Sequence, residues 1–104
     1  WDVSAVSNMD YMFNSNPVFD RDISGWNVSN VGSFRNTFEG ATSFSTDLSN
    51  WNVSAATNMD SMFSGASSFS SDLSGWCVSG IATRPSQFSN TSSISAEPVW
   101  GSCP

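Results

Sequence analysis

Tryptophan recurs every 25 residues along this chain, at Trp1, Trp26, Trp51 and Trp76, and its surroundings recur with it. Val3, Val28, Val53 and Val78 follow two positions on, then Ser4, Ser29, Ser54 and Ser79. Phe13, Phe38, Phe63 and Phe88 make a further column, and Phe19, Phe44, Phe69 and Ile94 another. Such a repeat constrains the fold before any other property does. Each copy is one supersecondary unit that buries its apolar edge only against its neighbours. Twenty-five residues fall short of the ~34 of a helical hairpin or the ~40 of a propeller blade. They suit one coil holding a short strand and a short helical or irregular arc.

The strand is expected at "WNV", where a polar residue separates two apolar ones, the alternation of a half-buried strand. The arc is expected to hold a helical turn, because Met59, Met62 and Phe63 share one face at the spacing i, i+3, i+4. Asn58 stands before them as an N-cap, with Asp60 in the first turn. "EGAT" and "SGAS" supply turn residues. Stacked coils would pair their strands in parallel at about 4.8 Å. The expectation is a leucine-rich-repeat-like solenoid, a single domain over 1–104. Its coils run 1–25, 26–50, 51–75 and 76–90, and a disulfide-stapled cap covers 91–104.

The pattern W-x-V-S-x-V-T-N-M-x-x-M-F-x-G-A-x-S-F-x-x-D-L-S resembles BspA-like leucine-rich-repeat surface proteins. It resembles still more the repeat of unknown function from Mycoplasma lipoproteins and marine microbes. The third copy, "WNVSAATNMDSMFSGASSFSSDLSG", follows it almost throughout. The second departs at Phe34, Arg35 and Thr37, and the last holds it only to about Phe88. The resemblance implies a repeat fold on a cell surface and says little of biochemistry.

Charge narrows the partners. The net charge is −6 and the pI about 4.1, with no lysine and only Arg21, Arg35 and Arg84 as bases. Nucleic-acid binding needs a basic footprint, and an anionic membrane surface needs one too. No apolar run approaches the ~18 residues of a membrane span, and no leader is recognisable. The chain opens on Trp1 at the start of a repeat, as expected of a processed chain or of a fragment of a longer one. Serine, threonine and asparagine read as turn formers and solvated faces.

Cys77 and Cys103 lie 26 apart, about one repeat, and so on neighbouring coils. The preferred reading is a disulfide fastening the tail, worth roughly 3–3.5 kcal/mol in the chain-entropy model. The other is two free thiols. Trp100 is expected to lie over the end of the ladder within the cap. Asn27, Asn52 and Asn90 each open an Asn-X-Ser/Thr sequon, though asparagine also simply suits this repeat. Asp22, Asp47 and Asp72 stack one rung apart. A calcium ladder would use them; capping of their own turns is the favoured alternative. Asp10, Arg35 and Asp60 suit a small ion-pair ladder, worth only about 0–1 kcal/mol per pair if exposed. Met9, Met12, Met59 and Met62 read as core rather than as soft-metal ligands.

An enzyme needs groups that titrate or attack at working pH. With no histidine, no lysine and one tyrosine, the expectation is a non-enzyme without a cofactor. The expected role is an extracellular or cell-surface structural protein. It would stack end to end into a filament or form the tip of a longer ectodomain. The contact would be the uncapped first coil at Trp1 and Val3, covered by another subunit or by upstream repeats. The alternative is an adhesin-type module for a host protein or glycan.

Overall fold

The structure, a computed structural model, describes residues 2–90 and 92–104. Successive copies of the repeat lie over one another and are joined by peptide groups of the arc. The N–H groups of Met9, Tyr11, Phe13 and Ser15 donate to the carbonyls of Ser33, Arg35, Thr37 and Glu39 at 2.7–3.0 Å. The pattern repeats from Phe34, Asn36, Phe38 and Gly40 to Asn58, Asp60, Met62 and Ser64. It runs again from Ser61, Phe63 and Gly65 to Ser86, Phe88 and Asn90. The intervening N–H groups stay local: Met12, Asn14 and Asn16 donate three residues back, to Met9, Tyr11 and Phe13.

This arrangement overturns the strand-based, leucine-rich-repeat-like solenoid expected from the period. Among the described residues there is no helix and no sheet. The pairing is confined to three isolated parallel bridges, Asn8 with Ser33, Ser33 with Asn58 and Asp72 with Ala96. The radius of gyration is 12.1 Å, close to the ~13 Å of a globular chain of ~100 residues. The body measures 31 × 29 × 19 Å, flattened rather than elongated.

Local chemistry explains both failed elements. The "WNV" segments are bracketed by Asx turns: Asp22 and Asn27 each accept the N–H two residues on, from Ser24 and Ser29. Asp47 and Asn52 do the same with Ser49 and Ser54. Side chains that take the backbone donors leave too few extended residues for a ladder. In the arc, the left-handed region breaks any helix. Tyr11, Asn36 and Ser61 have φ of 61°, 56° and 56°, and Ser15, Gly40 and Gly65 have 55°, 73° and 75°. Each positive φ reverses the chain and leaves alternate peptide groups pointing at the next layer.

The core is a pair of ring columns. Phe13, Phe38 and Phe63 stack at centroid separations of 5.5 and 5.4 Å with planes within 13°. Phe19, Phe44 and Phe69 stack beside them at 5.5 and 5.6 Å. Within a layer the two columns touch, as Phe63 and Phe69 do at 4.3 Å. Offset stacking adds about 0.5–1.5 kcal/mol per pair beyond area burial. The tryptophans tie layers together, since Trp51 Nε1 donates to the Ile23 carbonyl and Trp76 Nε1 to that of Leu48. Buried Thr37 is satisfied the same way, its hydroxyl donating to the Met9 carbonyl at 3.0 Å.

The far end closes differently. Phe88 is turned 86° to Phe63, and Trp100 meets Phe88 edge-on at 4.9 Å. The tail follows the 25-residue register only in part: Leu73 N–H donates to Ala96 and Val78 N–H to Ser102. A disulfide joins Cys77 to Cys103.

Candidate functional site

The first layer presents a face that its own equivalents bury. Met12 is 40% exposed, whereas Thr37 and Met62, one and two repeats on, are fully buried. Phe13, Phe19 and Trp26 are half-buried, whereas Phe38, Phe44 and Trp51 are in the core. In the inner layers the preceding copy covers these positions. Here an open cleft of ≈ 700 Å³ remains, floored by Phe13, Phe19, Ile23 and Trp26 and rimmed by Met12, Asn16, Arg21 and Asp22. Phe13 and Phe19 lie flat against each other at 3.9 Å, the closest ring pair described.

The face also has a polar edge. The carbonyls of Asn8, Asp10, Met12 and Asn14 correspond to those of Ser33, Arg35, Thr37 and Glu39, which accept from the layer before. Those of the first layer accept no hydrogen bond from any described residue.

Val3 is buried at 7%. Trp1 lies outside the described residues. The sequon asparagines Asn27 and Asn52 are exposed, and each Oδ1 accepts both the N–H and the hydroxyl of the serine two residues on. Asn90 is exposed and its carbonyl accepts from Gly65, while Thr91 of its sequon lies outside the described residues.

The aspartate column is engaged locally. Asp22 accepts from the hydroxyl and N–H of Ser24, and Asp72 accepts the N–H of Ser74. Asp47 accepts from the Ser71 hydroxyl of the next layer and from the Ser49 N–H. These seryl hydroxyls, then the N–H groups, hold all three carboxyls below the usual range. The Asp47 charge raises Asp72 slightly in the opposite sense. Asp2 repeats the arrangement with Ser4. Among the described residues no three metal-binding side chains converge.

Of the expected ion-pair ladder one rung forms, Arg35 to Asp10 at 3.6 Å. Asp60 instead accepts the Ser86 N–H. Met9, Met59 and Met62 are core, and Met12 alone of the four is exposed.

Sequence reasoning missed a clasp at the closed end. Arg84 grips both oxygens of Glu97 at 2.8 and 2.9 Å, and the Ser89 hydroxyl donates to the same carboxylate. The Arg84 hydrogen bonds are the first cause holding the Glu97 carboxyl below its usual range; burial opposes them. Glu97 stands 25 residues after Asp72, but Arg84 occupies the otherwise apolar column of Met9, Phe34 and Met59, so periodicity does not pair the two.

A family model described as a Mycoplasma protein of unknown function, DUF285, matches residues 1–100. No curated protein and no solved structure matches the chain.

Proposed function

The chain belongs to the DUF285 family of Mycoplasma proteins of unknown function, and we propose that it is a structural repeat protein of a cell surface, of the BspA-like kind. In this reading it assembles end to end into a filament or forms the tip of a longer surface ectodomain. One observation carries the proposal: Phe13, Phe19, Trp26 and Met12 stand partly uncovered, while the same positions one repeat on are sealed by the preceding layer. Apolar surface of this kind marks an interaction site. A disulfide supports an extracellular location, because such bonds persist in oxidising compartments. Absence of histidine and lysine supports a non-catalytic role without a cofactor. The local serine partners of Asp22, Asp47 and Asp72 support a capping role for them in place of calcium binding. Exposed Asn27 and Asn52 leave room for glycans.

The test is sedimentation velocity over a range of concentrations, comparing the wild type with Met12→Glu. The reading requires concentration-dependent association that the variant loses. Wild-type protein that stays monomeric throughout would sink the end-to-end assembly.

A second reading, an adhesin-type module for a host protein or glycan, draws on the ≈ 700 Å³ cleft with Arg21 on its rim. It requires a monomer with a saturable partner, and Phe19→Ala should weaken that binding.

A further inference from the structure

The two ends of the molecule differ in hydrogen-bonding sense, and this selects what the open face receives. In every layer alternate peptide groups of the arc lie along the stacking direction. Their N–H points to the following layer and their carbonyl to the preceding one. The first layer therefore ends in a row of carbonyls, those of Asn8, Asp10, Met12 and Asn14. At the other end the carbonyls of Ser86 and Phe88 are taken by Ser61 and Phe63. The N–H groups of the same peptide units, on Gln87 and Ser89, donate to no described residue. Along the arc, then, one end presents carbonyls and the other N–H groups; the neighbouring Ser7, Gly32 and Thr57 are bonded in the opposite sense, from Gly32 N–H to Ser7 and from Thr57 N–H to Gly32.

Resting on the assembly reading above, we infer that the open face receives the Gln87–Ser89 end of a second copy of this chain, head to tail. The carbonyl row would accept from Gln87 and Ser89 as inner carbonyl rows accept from the layer before, so the contact continues an interface already present inside each molecule. Half-buried Ile94 and Trp100 lie at the closed end and in this contact would face the aromatic floor. Two open faces cannot pair equally well, because along the arc carbonyl would meet carbonyl. A heterologous contact of this kind yields an open chain of molecules where the rotation between copies does not close a ring.

Sedimentation velocity on two variants tests the sense of the contact. Met12→Glu places a carboxylate on the open face. Gln87→Glu places one at the opposite end, where Gln87 is exposed and would confront the carbonyl row. Near-ultraviolet circular dichroism verifies that both keep the wild-type aromatic signal. Head-to-tail contact predicts that each variant alone is monomeric where the wild type forms chains. A 1:1 mixture should then form dimers and nothing larger, since one good end of each remains. Gln87→Glu associating as the wild type does would overturn the head-to-tail sense while leaving the open face as the contact. A monomeric wild type would overturn this inference together with the assembly reading.

Discussion

Trp76 donates its indole N–H to the carbonyl of Leu48 at 2.9 Å, and Leu48 lies 28 residues earlier, in the layer before. Trp51 does the same to Ile23. The recurrent tryptophan is thus both a core side chain and a cross-link between copies. Trp76→Phe keeps most of the apolar bulk and removes the donor. It should cost about 1–3 kcal/mol, the range for a lost buried hydrogen bond, read as a lower urea midpoint with an unchanged slope.

The ring column makes the centre of the molecule more sensitive than its open face. Phe63 stacks on Phe38 and Phe69 and meets Phe88, and it is fully buried. Phe63→Ala should cost about 3–5 kcal/mol. Phe13→Ala should cost clearly less, because Phe13 is only half-buried. Equal losses in denaturant titrations would argue that the column is not the core.

Gly65 sits at φ 75°, a left-handed conformation that a Cβ disfavours. Gly65→Ala should destabilise by about 1–2 kcal/mol. Gly25→Ala is the control: nothing lies within 4 Å of the added carbon, and its effect should stay within about 0.5 kcal/mol.

Acid should weaken the fold in a defined direction. Asp2, Asp22, Asp47, Asp72 and Glu97 all titrate lower in the folded chain than when unfolded. Their contribution is fully present above the unfolded carboxylate range and is lost as pH falls through the folded values. The urea midpoint should therefore be flat from neutrality to about pH 5 and decline below it. Replacing Ser24 and Ser74 with alanine should flatten that decline, because their groups set two of the shifts.

The 25-residue register was legible in the sequence because periodic aromatics have one economical arrangement, each ring over its counterpart. The turn glycines Gly40 and Gly65 were legible for the same reason. The secondary structure was not. "WNV" has the alternation of a strand, and Val28 and Val53 are indeed inside with Asn27 and Asn52 outside. Alternation fixes which side chains point inward but not where the backbone donors go. The Asx turns at Asp22 and Asn27 claim donors before a ladder forms. Likewise Met59, Met62 and Phe63 are all buried, as a helical face would be. Ser61 at φ 56° puts them there through a turn. The open face was anticipated at Trp1 and Val3; Trp1 lies outside the described residues, Val3 is buried, and Met12, Phe13, Phe19 and Trp26 are the partly uncovered ones described. The arc rather than the "WNV" segment carries most of the cross-layer hydrogen bonds.

Electron microscopy of concentrated, vitrified protein tests the central claim most directly. Four layers at the ~4.8 Å spacing of hydrogen-bonded chains account for the short 19 Å dimension of the body. Head-to-tail assembly predicts filaments with an axial repeat of about 19 Å that Met12→Glu abolishes. Dispersed single particles at every concentration would contradict it.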